Sequence, residues 1–286
     1  MTLSEHARCA LEAQIRRLED QLALALAGPA EDPVHDFRVA IRRLSASLRI
    51  FSHFFPDHDA RRLRRALKPA LDAAAIVRDL DVDTALLRKL KLPAAHPLLA
   101  RMARDRGLAA LAFTGQLYLL RSREIPLSWL DPVSRLLETN EDAPLAPRAL
   151  LPPLAAGFFK AGRKTTAKAT PERLHAFRLA AKRFRYTLEV FRPFYGPVYG
   201  TRLEHVREIQ SILGNRQDCA VTAALLQPFA PLDAEASLAL EAVHARAARL
   251  ERDFLRFWHT QFDAPGQELL WSRYLSRRPP APRIPA

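Results

Sequence analysis

Glycine is scarce in this chain of 286 residues, with nine copies, and cysteine scarcer still, with two. Cys9 and Cys219 have no CxxC or Cys/His spacing around them, which excludes a disulfide framework and a zinc module. Both read as small buried apolar residues of a cytosolic chain. Alternation at period two and β-branched clusters are missing, so no strand is expected. The longest uncharged apolar run, Gly107 to Leu120, has 14 residues, whereas a bilayer crossing needs about 20. No membrane partner is expected. The opening MTLSEHARCALEAQIRRLEDQ is charged and amphipathic, and reads as a helix rather than a secretion leader. Acidic residues are also short: 31 Asp and Glu face 44 Lys and Arg, giving +13 and a pI near 10.5. That excess points to a polyanion, whether nucleic acid, an anionic surface or a phosphate polymer.

Ala, Leu and Arg dominate what is present, a composition that favours helix. Periodicity near 3.6 predicts helices over 4–27, 33–55, 58–76, 79–91, 95–121, 147–168, 172–195, 199–214, 217–228 and 233–262. Asp32-Pro33 and Thr170-Pro171 each place a capping residue before a proline, as at a helix start. The expected organisation is an N-terminal helical half over 1–140, a proline-rich linker over 141–153, a C-terminal helical half over 154–275, and a tail over 276–286 too rich in Pro and Arg to pack.

The halves share sequence. HDFRVAIRRLSASLRIFSHF, from His35, and HAFRLAAKRFRYTLEVFRPF, from His175, match at eight of twenty positions. RDLDVDTALL from Arg78 is echoed by RQDCAVTAALL from Arg216, at almost the same offset. Two segments recurring in order indicate an internal repeat, hence two helical bundles.

At 100° per residue, His35, Arg38, Arg42 and Arg49 fall on a stripe about 60° wide, opposite Phe37, Ile41, Leu44, Leu48 and Phe51. In the second copy His175, Arg178, Lys182 and Arg185 line up with Tyr186, opposite Phe177, Ala181, Phe184, Leu188 and Phe191. Most basic stripes are solvated faces. Those mix signs, whereas these are almost purely cationic until Glu189. Arginine offers phosphate a bidentate fork, lysine a point charge, and histidine a hydrogen bond. Because the stripes lie opposite the apolar faces, reversing their charge is expected to leave the core intact.

H-x-F-R-V-x-x-R-R, H-x-F-R-L-x-x-K-R-x-R-Y and the intervening RDLDV closely resemble the CHAD family, helical domains named for their histidines, from about Leu3 to about Leu275. The resemblance implies an all-α fold of two four-helix bundles related by a pseudo-twofold axis, with basic residues of both lining a central groove or pore. It also implies binding of inorganic polyphosphate and association with polyphosphate granules in the cytoplasm. Carried onto this chain, the motif marks His35, Arg38, Arg42, Arg43, His175, Arg178, Lys182, Arg183, Arg185 and Tyr186. Ser45 stands where the second copy has Arg185, a departure that makes the halves unequal.

Arg61, Arg65 and Lys68 form a further basic stripe, and Lys160, Arg163, Lys164 and Lys168 another cluster. Each fits an extension of the anion surface and a plain exposed face equally well. Asp79 and Asp81 read as helix-starting carboxylates that hold an arginine such as Arg78, rather than as metal ligands. GFFKAGRKT, from Gly157, imitates a phosphate loop but has an extra Arg and no preceding strand. No nucleophile–base arrangement, metal site or cofactor motif is found, so neither catalysis, metal nor cofactor is expected. The reading is a non-enzymatic polyphosphate-binding module. Its rival is a helical nucleic-acid binder, against which stand the 8% of aromatics, mostly on apolar faces, and the lack of a helix-turn-helix.

Overall fold

The computed structural model describes residues 3–54, 57–138 and 147–277. Its regular structure is helical throughout, with no strand among the described residues. The chain forms two compact units, 1–143 and 144–286.

In the first unit, α1 (Leu3–Ala27), α2 (Glu31–Ile50), α3 (Asp57–Lys89) and α4 (Pro97–Ser122) close a ring in which each helix packs on both its neighbours. The apolar stripes read from periodicity make that core. Leu11, Ile15, Leu18 and Leu22 of α1 face Phe37, Ile41, Leu44 and Leu48 of α2, and all eight are buried. Such a side chain contributes about 1.5–3 kcal/mol when fully buried. Phe37 meets Phe113 of α4 at 5.5 Å. A short helix, α5 (Leu130–Glu138), lies on α1, where the Ser134 hydroxyl donates to the Glu12 carboxylate at 2.9 Å.

The second unit comprises α6 (Pro147–Ala167), α7 (Pro171–Phe191), α8 (Pro197–Leu226), α9 (Ala234–Gln261) and α10 (Gln267–Leu275). Its core is aromatic. The Phe158 ring of α6 lies 5.2 Å from Phe177, 4.9 Å from Phe184 and 5.6 Å from Trp258 of α9. Helix α10 adds Trp271, at 6.0 Å from Phe159. Gly162 lets α6 approach the indole of Trp258: a Cβ there would sit 2.0 Å from the ring. This glycine, part of the loop-like GFFKAGRKT, therefore serves packing.

Both motif helices end alike. A three-residue 3-10 turn follows α2 at Ser52–Phe54 and α7 at Arg192–Phe194, closed by Phe51 on Phe54 at 6.3 Å and by Phe191 on Phe194 at 6.2 Å. Phe51 and Phe54 in one segment and Phe191 and Phe194 in the other are thus matching phenylalanines that close matching turns.

Several expectations change, among them the burial of Cys9, which is exposed, whereas Cys219 is buried as expected. The helices expected over 58–76 and 79–91 are one, α3, and those over 199–214 and 217–228 are one, α8. Asp79 and Asp81 therefore lie within α3 and start nothing, because ion pairs to other helices engage them. Gly214 sits inside α8, held there by Leu213 and Cys219, both buried. At α2 the cap is Ala30, without a side-chain bond, and Asp32 is a first-turn acid; at α7 Thr170 does cap, accepting from the Arg173 amide. Helices α5 and α10, nine residues each, stand outside the helices expected from periodicity, being shorter than the window over which a helical period is read. Residues 147–153 form the first turns of α6, while 139–146 of the proline-rich stretch and 278–286 of the tail lie outside the described residues.

Two glycines separate packing from propensity. Gly162→Ala should lower stability by about 1–3 kcal/mol through overpacking, although alanine is the better helix former. Gly214→Ala, where a Cβ meets nothing within 4 Å, should raise it by about 0.5–1 kcal/mol. Urea midpoints of the two variants decide, and the opposite order would contradict the packing of Trp258.

Candidate anion-binding surfaces

Helix α2 points Val34, Phe37, Ile41 and Leu44 inward, and its 3.6-residue repeat leaves His35 and Arg49 exposed, with Arg42 and Arg43 half-buried. Arg38 departs from the expected open stripe. It is 7% exposed, its Nε is buried without a hydrogen-bond partner, and Nη1 lies 3.6 Å from Oδ1 of Asp79 on α3. Arg38 stands at the edge of the buried sector, so its stem packs while its head seeks a carboxylate. Reversing its charge would strand Asp79 and bury an anion, which corrects the expectation that the whole stripe could be reversed without cost.

The electrostatics of this face are those of crowded cations. Burial first, then Arg42, bring the Arg38 pKa down to about 10, with Asp79 opposing. The His35 pKa falls below 6.5 through partial burial first and Arg78 second, while Asp36 pulls the other way. Arg78, on α3, thus belongs with His35, Arg38 and Arg42, a membership that wheel geometry on a single helix could not reveal. Its own partner is Glu31, at 2.5 Å. The carboxylates of RDLDV do hold arginines, but Arg38 and Arg106 rather than Arg78. Arg106 of α4 donates to Asp81 at 3.0 Å and to the Pro29 carbonyl at 2.7 Å.

On α7, His175 and Arg183 are exposed, and Arg178 and Lys182 half-buried. The Arg178 Nε is buried without a partner. Arg185 lies over the Tyr186 ring at 4.6 Å and 3.5 Å from Glu189, so its charge is already answered. Tyr186 itself is 8% exposed, beneath that guanidinium. Glu189 is shared with Arg207 of α8 at 3.0 Å, and Arg207 also reaches Glu204 at 2.6 Å. Burial pulls the Arg207 pKa down, yet its bonds to Glu189 and the charge of Glu204 carry it above the ordinary value. Behind α7, buried Cys219 stands beside Arg246 and Arg216; burial raises its pKa and the arginines oppose.

The secondary clusters are more ordinary. Arg61, Arg65 and Lys68 lie exposed on the first half of α3, and Lys68 pairs with Asp72 one turn on. Arg163 pairs with Glu268 of α10 at 2.8 Å, whereas Lys160, Lys164 and Lys168 are exposed. Among the described residues no group of three or more His, Cys, Asp or Glu could hold a metal ion.

A model of the CHAD domain family matches residues 9–227. Among solved structures, the crystal structure of the CHAD domain from the plant Ricinus communis aligns with a TM-score of 0.62 at 23% identity, covering 98% of this chain and 94% of that one. PptA from Streptomyces chartreusis aligns with a TM-score of 0.62 at 19% identity, covering 90% of this chain and 99% of that one. These likenesses concern the fold. No curated protein matches the chain.

His35 offers a pH test. Its folded-state pKa lies below the unfolded 6.5, so the unfolded chain binds the proton more readily. The stability this neutral imidazole lends is complete above 6.5 and lost as pH falls through the folded pKa. Imidazole NMR should show titration below 6.5, and His35→Gln should lose less stability than the parent on acidification from about pH 7 to about pH 5. A pKa at or above 6.5 would contradict the crowding of cations around it.

Proposed function

The chain belongs to the CHAD domain family, and we propose that it is a non-enzymatic binding module for long-chain inorganic polyphosphate. The observation that carries this reading is charge left unanswered on the motif helices. Among the described residues neither Arg42 nor Arg178 has an ion-pair partner, although carboxylates answer Arg38 and Arg185 nearby. Cations held close without counter-ions repel, and an anionic polymer relieves that repulsion while releasing its own counter-ions. Arg42, Arg78 and His35 would bind phosphate oxygens in the first unit, and Arg178, Lys182, Arg183 and His175 in the second. Two stripes in one polypeptide raise the effective concentration of the second contact, which rewards a long chain over a short one. The same chemistry would hold the protein to polyphosphate granules.

Competition tests the ligand: labelled long-chain polyphosphate against duplex DNA, single-stranded RNA, pyrophosphate and ATP. Polyphosphate should win, with affinity falling log-linearly with salt. Arg42→Gln and Arg178→Gln should each weaken binding about tenfold or more, the loss of a charge-assisted contact, and should flatten the salt slope. If one is silent, that stripe is only a solvated surface. Equal affinity for DNA would favour the nucleic-acid reading. Incubation with polyphosphate and Mg²⁺ or Mn²⁺ should release no phosphate; turnover lost in His175→Ala would make the protein an enzyme.

A further inference from the structure

Helix α4 is apolar on more faces than its bundle uses. Leu99, Met102, Ala110, Phe113, Leu117 and Leu120 fill the core. On the opposite side Leu108 is 67% exposed, Leu111 72%, Tyr118 62% and Leu119 46%. A helix that is apolar all round is normally buried all round. The corresponding long helix of the second unit, α9, shows solvent Glu241, Arg249 and Arg252, with Leu238 its one exposed large apolar residue among those described. The outer stripe of α4 is therefore particular to the first unit and not a by-product of the fold.

We propose that this stripe is the interface of a homodimer, in which α4 packs antiparallel on α4 of a second copy. Leu108, Leu111, Gly115, Tyr118 and Ser122 recur at alternating spacings of three and four, the seam of a two-helix coil. The seam is self-complementary under a twofold axis near Phe113. Leu108 then faces Tyr118 of the second copy, and Leu111 faces Gly115, a large residue into a space where a Cβ would meet nothing within 4 Å. The same register levels Asp105 with Arg121 of the second copy. Both are exposed, and within their own chain Asp105 touches Arg101 only at 4.0 Å and Arg121 touches Glu19 at 3.5 Å. A parallel pairing would instead set Arg101 and Arg104 against their own copies. Residues 107–120 carry no charge, so the seam escapes the repulsion of a strongly basic protein.

Sedimentation velocity on the full chain, without polyphosphate and in high salt, measures the dimer directly. The parent should shift from monomer to dimer as concentration rises. Leu111→Glu should raise the dissociation constant about tenfold or more, the equivalent of one leucine's burial. Gly115→Leu should do the same by filling the cleft. Both should keep the parent's helical circular dichroism, because neither position is packed in the monomer. A parent that stays monomeric overturns the proposal and leaves the stripe to a different partner. So does a dimer that survives both substitutions.

Discussion

Cations set one turn apart on a helix repel each other, and the fold must hold α2 and α7 despite that repulsion. Each helix is fastened by its apolar face, through Phe37, Ile41 and Leu44 or through Phe177, Phe184 and Phe191, all buried. That burial outweighs the few tenths of a kcal/mol that each like-charged pair costs. Carboxylates then answer some of the charge, most of them across helices: Asp79 for Arg38, Glu31 for Arg78, Asp81 for Arg106, and Glu189 for Arg207 and for Arg185 on its own helix. Arg42 and Arg178 are left without an ion-pair partner among the described residues. The acids fix where the guanidinium groups they pair with point.

Helix content and the two cationic stripes were legible because a helical period shows itself within twenty residues. The motif helices, expected to run to 55 and 195, stop at Ile50 and Phe191, and a 3-10 turn completes each. Sequence could not show that Arg38 goes inside. Its angle on the wheel borders the apolar sector, and the deciding neighbour, Asp79, is 41 residues away. Nor could it assign Arg78 to the stripe, since Arg78 reaches His35 from another helix. The breaks imagined before Asp79 and at Gly214 came from local propensity, which tertiary contacts overrode in α3 and α8.

Alike in order of elements, the two units differ in how their stripes end. Where the second carries Arg185 and Glu189, the first carries Ser45 and Arg49. Glu189 is gripped by two arginines, so the last turn of the α7 stripe is internally neutralised. At the corresponding place α2 keeps a cation and no acid. The two cores diverge as well, one largely aliphatic and one built on stacked aromatic rings around Phe158. Similar surfaces are thus carried on different interiors.

The match to the family model stops at residue 227, yet the second unit's interior does not. Phe254 and Trp258 of α9 and Trp271 of α10 come from beyond that limit, and each is almost wholly buried. The α6 backbone at Gly162 is shaped around one of them. A chain cut at the edge of family likeness would keep every histidine and arginine of both motifs but lose the rings against which Phe158 and Phe177 pack. The stretch matched by the family model is shorter than the stretch that closes the second core.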